Sequence, residues 1–457
     1  MGARLSEQVF RQSPRPLKDI LCSLYGWGLN RRRYGGGVAR RLQAVLAEER
    51  LSPEALEQLS LERLRRTLVR AGRDVPFYRR LFRQEGIDPA TLPLPSGLEH
   101  IPILDKATVR SSPRQFLSRA VRPPLAVRET SGTTGSPLAV PVDLESLRLH
   151  YAYYERFRIW AGTHRARRRA TFNGRVLWPA ARHRPPFWVR DWAQDNTLFS
   201  VYHMSPATLP AYIRHLLRLQ PEEIQAYPSA LLTLARFALR TGQDLPRPRA
   251  ILLSAETLVP EDRRLLRDAF HCPVFNQYGN AEMSIFAGDC RQGCLHLDTA
   301  YSYTEILGPD GRGGAATGEV ITTGYMNRAM PLIRFRVGDT VSLGSGTCAC
   351  GRPYPVLQKV VGRTDDLLIL PDGRRVGRLD PVFKGMRGID EVQIIQETPG
   401  RVVMKVVPGP GFAPDTGPAL AGALAERLGP SVEILVRPVD AIARTSRGKF
   451  RAVVRRF

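Results

Sequence analysis

The chain has 457 residues and a formal net charge of +24, a length that calls for about two or three domains rather than a single small core. Almost all of that charge is arginine, spread from end to end with only six lysines, which argues against a dedicated basic arm for specific nucleic-acid binding. No apolar run approaches the roughly 18 residues of a membrane span, and the first ten residues lack an export core, so a cytoplasmic location is expected.

Met1-Gly-Ala-Arg-Leu-Ser6 fits the loose myristoylation pattern, a match with too many free positions to carry weight. The first 80 residues are rich in Leu, Arg and Glu at helical spacing; in Ser52-Pro-Glu-Ala-Leu-Glu-Gln-Leu59 a serine is placed to cap and a proline to open a helix. A helical N-terminal segment over 1–80 is expected. Between about 125 and 360, short apolar runs such as Ala250–Ser254 and Gly318–Thr323 alternate with helical stretches such as Ser229–Thr241, predicting α/β layers around a largely buried sheet. Past Gly362 the pattern reads strand (Val392–Gln396), strand (Arg401–Val407), helix (Gly417–Leu428) and strand (Val432–Val436), with Pro408–Pro414 a loop. The expected class is therefore α/β, with a large layered main domain over 81–362 and a small, mobile α+β lid over 363–457.

Thr130-Ser-Gly-Thr-Thr-Gly-Ser-Pro137 packs hydroxyls and glycines into a loop suited to a polyphosphate. Gly132 and Gly135 let main-chain N–H groups approach phosphate oxygens, while Ser131, Thr133 and Thr134 add hydroxyl donors. It is not a Walker A loop, because proline stands where that motif sets its lysine. A Ser/Thr/Gly run is also an ordinary surface loop, so the context decides. Five blocks follow it in order: Ser254-Ala-Glu-Thr257, Tyr278-Gly-Asn-Ala-Glu282, Pro331-Leu-Ile-Arg-Phe-Arg-Val-Gly-Asp339, Gly362-Arg-Thr-Asp-Asp366 and Thr445-Ser-Arg-Gly-Lys-Phe450.

Together these blocks resemble the core motifs of the adenylate-forming superfamily of acyl-CoA synthetases, luciferases and peptide-synthetase adenylation domains. Pro76-Phe-Tyr-Arg-Arg-Leu-Phe82, Ile101-Pro-Ile-Leu-Asp-Lys106 and Asn327-Arg-Ala-Met-Pro331 make the chain most similar to the phenylacetate-CoA ligase branch and its capsule-biosynthesis relatives, over about residues 67–457. The resemblance implies an ATP- and Mg²⁺-dependent ligase that turns a carboxylic acid, expected to be aryl or short acyl, into an acyl-adenylate and then passes it to CoA. It places the 130–137 loop over the β/γ-phosphates, Glu282 near Mg²⁺ and Asp339 on the ribose hydroxyls, where a carboxylate accepts both protons. Ala255, Glu256, Asn276, Tyr278 and Gly279 would surround the adenine and acyl pocket, with Tyr227, Pro228 and Ser229 lining the acyl side. Arg363 would approach the nucleotide and Asp365 would be the hinge. Lys449 would reach the α-phosphate and the substrate carboxylate, stabilising charge as the pentavalent state develops. Lys106 reads as a structural residue of the family. One departure stands out: Ala281 replaces the usual Thr or Ser before the glutamate, removing one hydrogen bond of roughly 0.5–1.5 kcal/mol.

Cys290, His296, Cys348 and Cys350 supply three thiols and an imidazole, the set preferred by a closed structural zinc site, and some relatives in this branch look similar here. Cys294 could replace Cys290, and without export disulfides are not expected. Two other readings stay open: transfer of the acyl group to an amine of an amino acid, sugar or metabolite, favoured by Asn327–Pro331, and a non-catalytic nucleotide- or RNA-binding module, favoured by Ala281 and the charge. The acid itself and the oligomeric state, with a dimer possible, are not legible.

Overall fold

The computed structural model describes residues 10, 12–122, 125–129, 138–179, 181–256, 258, 260–344, 346–361, 368–376, 379, 382, 386, 388–409, 411–440, 442 and 453–457. The chain opens with four helices, α1 (Arg15–Tyr34), α2 (Val38–Glu48), α3 (Pro53–Asp74) and α4 (Pro76–Gln84). The Ser52 hydroxyl accepts from the Ala55 N–H at 3.2 Å and Pro53 lies in the first turn, so α3 starts where its cap and proline place it. Leu56, Ser60, Leu64, Thr67, Leu68 and Ala71 form its buried stripe.

A short helix, α5 (Lys106–Ser111), precedes the antiparallel pair β1 (Leu125–Glu129) and β2 (Ala139–Asp143). These strands flank the glycine-rich stretch 130–137, which lies outside the described residues. Helix α6 (Leu144–Trp160) follows at once, its first N–H groups held by Asp143, whose carboxylate accepts from Glu145 N and Ser146 N.

A twelve-stranded sheet organises the described residues up to 361. Its first half contains β3 (Arg169–Asn173), β4 (Trp188–Asp191), β5 (Asn196–Ser200), β6 (Glu223–Ala226), β7 (Ala250–Ser254) and β8 (Val274–Gly279). Strands β5, β3, β6, β7 and β8 run parallel in that spatial order, with β4 antiparallel at the outer edge. The crossovers use α7 (Leu209–Leu219), α8 (Pro228–Thr241) and α9 (Pro260–Phe270). Parallel strands joined this way open all their carboxyl ends on one edge, where ligands of such sheets bind. The second half is antiparallel: β9 (Phe286–Asp289), β10 (Leu295–Leu297), β11 (Ser302–Leu307), β12 (Thr317–Gly324), β13 (Phe335–Leu343) and β14 (Val356–Val361), in the order β9, β10, β14, β13, β12, β11 from β8 outward.

After the hairpin β15 (Leu368–Ile369) and β16 (Arg375–Val376) comes a second, four-stranded sheet of β17 (Ile389–Thr398), β18 (Arg401–Pro408), β19 (Glu433–Pro438) and β20 (Val453–Arg455), ordered β19, β18, β17, β20. Helix α10 (Thr416–Leu428) covers it through the fully buried Leu420, Leu424 and Leu428. The sequence pattern marks β17, β18 and β19 but not the short β15, β16 or β20, the last of which pairs parallel to β17. Tyr202, from the large sheet's side, joins this second core, and the Arg427 guanidinium stacks over its ring at 5.6 Å. Among the described residues no helix is long and apolar enough to cross a membrane.

Candidate active site

A cavity of about 1960 Å³ opens at the carboxyl ends of β6, β7 and β8 and runs on along one sheet face under α1 and α6. Two chain reversals build its mouth. After β7, Ala255 takes φ +75, left-handed backbone that a non-glycine residue adopts only where its surroundings impose it. The next residue, Glu256, turns back to accept from both the N–H (2.9 Å) and the hydroxyl (3.0 Å) of Ser229 at the start of α8. After β8, the segment Gly279–Glu282 folds over the sheet edge; a Cβ on Gly279 would lie 2.6 Å from the mobile Gln277 Nε2 and 3.1 Å from the Ile285 carbonyl oxygen, so a side chain there would require its neighbours to shift.

Tyr278 and Asp339, on β8 and β13, meet here: the Tyr278 hydroxyl donates to Asp339 Oδ2 at 2.8 Å. Asn276, which lines the cavity, is fixed through its backbone N–H, which donates to Asp289 at 2.6 Å, while its side-chain oxygen is buried with no hydrogen-bond partner among the described residues. Burial pushes the Asp289 carboxyl above its ordinary range, opposed by its 2.6 Å ion pair with Arg263. Glu282 is only 3% exposed, and Lys106 Nζ lies 2.9 Å from its Oε1, off the direction of a well-formed hydrogen bond. Lys106 is therefore the ion-pair partner of the buried Glu282, a contact compatible with the structural role expected of it. Arg128 is a residue the sequence reading missed: its Nε donates to the Ala281 carbonyl at 3.0 Å.

Ala255, Glu256, Asn276, Tyr278, Gly279, Glu282, Asp339, Pro228 and Ser229 all line this cavity. Tyr227 does not. As the residue before α8 it turns toward Gly174, where a Cβ would lie 3.5 Å from its Cε2, and it lines a separate pocket of about 20 Å³. Ser131, Gly132, Thr133, Thr134, Gly135, Arg363, Asp365 and Lys449 lie outside the described residues.

Behind the cavity, Cys290 at the end of β9, His296 on β10, and Cys348 and Cys350 from the β13–β14 connection bring four ligand atoms within 4.8 Å of one another. Cys290 Sγ and Cys348 Sγ are 3.7 Å apart, and Cys350 Sγ is 3.2 Å from His296 Nε2. Two sulfurs each about 2.3 Å from a tetrahedral zinc are separated by about 3.75 Å, so the thiols fit. The other ring nitrogen of His296 meets the Tyr354 carbonyl at 3.1 Å, which orients Nε2 toward the thiols. Cys294 is adjacent through its backbone, whose carbonyl accepts from Cys290 N–H at 2.9 Å.

The family described as the CapK C-terminal domain matches residues 368–456. Protein CapK of Staphylococcus aureus is 23% identical over 362 residues, covering 79% of this chain and 78% of that protein. A phenylacetate-coenzyme A ligase of Thermus thermophilus is 28% identical over 340 residues, covering 70% of this chain and 73% of that enzyme. The similarity to CapK and to phenylacetate-CoA ligases extends over most of the chain. The fold is shared with a crystal structure of 2-hydroxyisobutyryl-CoA ligase in complex with 2-HIB-AMP and CoA, at a TM-score of 0.57 and 21% identity, covering 93% of this chain and 92% of that one. The α/β main body and the α+β C-terminal unit read from the sequence are those of this fold.

Proposed function

We propose that this protein is an AMP-forming carboxylic acid ligase that adenylates its acid with ATP and transfers the acyl group to CoA. The observation that carries the reading is the convergence of a buried carboxylate, Glu282, with Asp339, Tyr278 and the unpartnered Asn276 oxygen on one cavity at the carboxyl ends of the parallel strands. The names of the relatives in the phenylacetate-CoA ligase group support the thioester outcome.

Asp339 accepts the ribose hydroxyl protons, and Tyr278, already bonded to it, holds that carboxylate in place. The free Asn276 oxygen accepts an N–H donor such as the adenine amine. Glu282 fits a divalent ion, since it presents a buried oxygen lacking an aligned donor; Mg²⁺ held there would neutralise phosphate charge. Lys106 balances that carboxylate. Lys449, by its position in the family motif, stabilises the charge that develops when the substrate carboxylate attacks the α-phosphate and pyrophosphate leaves. The small C-terminal unit, 363–457, moves about Asp365 to expose a second face for thioester formation. Cys290, His296, Cys348 and Cys350 hold one structural zinc, which ties the β9–β10 turn to the β13–β14 connection.

The test is acid-dependent ATP–pyrophosphate exchange. Wild type should exchange label only with acid and Mg²⁺ present, and Lys449→Ala should lose on the order of 10²-fold or more while its thermal midpoint is unchanged. Exchange by Lys449→Ala at the wild-type rate would overturn the assignment.

A further inference from the structure

The arm of the cavity that runs under α1 and α6 has a distinct chemistry. Helix α1 lies before the region of family resemblance, yet it places Arg33 and Tyr34 on the cavity wall, opposite Tyr151 of α6. The Arg33 guanidinium lies 4.5 Å from the centre of the Tyr151 ring, and Arg128, whose Nε donates to the Ala281 carbonyl at 3.0 Å, lies near enough to act on the same phenol. Two guanidinium groups therefore converge on one phenol, beside the residue that precedes Glu282.

Their charges are unbalanced. The neighbouring Arg158 pairs with Glu155 at 3.1 Å and Glu223 at 3.3 Å, and Arg263 with Asp289 at 2.6 Å. No carboxylate among the described residues lies within 4.0 Å of Arg33 or Arg128, although both are half-buried. Half-buried cations without a counter-charge are costly unless a ligand supplies one. The phenol responds to the same field: burial alone would raise the Tyr151 pKa, but Arg33 and Arg128 outweigh it and lower it, making its hydroxyl a stronger donor.

We propose that Arg33, Arg128 and Tyr151 form a recess for a second anionic group on the acid that this enzyme activates, so that its substrates are carboxylic acids carrying a further carboxylate, phosphonate or phosphate. The inference rests on the acid-activating reading above and names the substrate class of that site. One carboxylate reaches the adenylation locus beside Ala281 and Glu282, while the other is held by the two guanidiniums and the phenol. A neutral aryl or alkyl acid would leave both cations facing apolar groups, so the same recess rejects it.

Matched acids decide the matter: phenylacetate against 4-carboxyphenylacetate, butyrate against glutarate, and propionate against 3-phosphonopropionate, in wild type, Arg33→Gln and Arg33→Lys. In wild type the dianionic members should be favoured in kcat/KM for pyrophosphate exchange. Arg33→Gln should reduce that preference by about 10- to 100-fold, the effect of one charge-assisted contact, and Arg33→Lys should restore part of it. The KM values for ATP and CoA should stay unchanged. The carboxylate and phosphonate pairs separate the two anion types. A wild-type preference for the neutral acids, or an Arg33→Gln effect confined to ATP or CoA, would overturn the proposal. Direct binding of the same acids by calorimetry separates the two readings: if no acid supports exchange but the dianions bind in an Arg33-dependent way, the ligase reading fails and the recess stands. If the dianions bind no better than their neutral partners, or equally to Arg33→Gln, the recess is wrong.

Discussion

Replacing Lys106 by methionine leaves the Glu282 carboxylate, 3% exposed, without its only ion-pair partner among the described residues. Breaking a fully buried pair costs about 3–5 kcal/mol; because the Lys106 side chain is 23% accessible and water reaches that side, roughly 2–3 kcal/mol is the expected loss. Glu282→Gln should cost less, about 1 kcal/mol, since a half-exposed ammonium is easily hydrated. The double variant Lys106→Met/Glu282→Gln removes both charges and should recover about 1–2 kcal/mol relative to the sum of the single losses. At about 2–4 °C per kcal/mol, Lys106→Met should lower the main calorimetric transition by roughly 4–12 °C, and the double variant should fall short of the summed shifts. Strictly additive shifts, or a Lys106→Met midpoint equal to wild type, would refute the electrostatic coupling of this pair.

His203 predicts an acid limit to stability. Its Nδ1 accepts from the Ser200 hydroxyl at 2.7 Å and its Nε2 donates to the Pro179 carbonyl at 2.9 Å, so the folded chain holds it neutral, and burial brings its pKa down to about 4. The unfolded chain takes the proton first, near 6.5, so the stabilisation is complete above that pH and is lost as pH falls toward 4, about 2 kcal/mol of it by pH 5. Urea titrations from pH 7 to 4.5 should show that slope in wild type and a shallower one in His203→Gln; equal slopes would remove the assignment. Zinc should copurify at about one ion per chain, and Cys348→Ser should lower both metal content and thermal midpoint; full-length protein without zinc and with freely titratable thiols would refute the site.

Much of the fold is legible because its strands and helices announce themselves locally. Ala250–Ser254 appears with the bounds that its apolar run predicts, and the helix expected over 229–241 begins one residue earlier, at Pro228. β20 escaped notice because three residues in an arginine-rich tail become a strand only by pairing with β17. Cysteine spacing pointed to a thiol and imidazole cluster but could not choose between Cys290 and Cys294; Cys290 is in the group of four ligand atoms within 4.8 Å, while the Cys294 thiol also contacts Cys348. Arg128 was missed for a related reason: it has no local pattern that announces a partner and reaches the 281–282 turn only through the packing of the sheet. Arg33 lies before the region of family resemblance, so only the position of α1 against α6 brings it to the cavity.

Carboxylate attack on the α-phosphate moves one carboxylate oxygen into AMP, and no other ATP-dependent route to a thioester does so. The decisive measurement is therefore mass spectrometry of the nucleotide after turnover with ATP, CoA and an acid labelled with ¹⁸O in its carboxylate. The account predicts AMP carrying one ¹⁸O atom, with unlabelled pyrophosphate. Label in inorganic phosphate together with ADP, or AMP free of label, would contradict it.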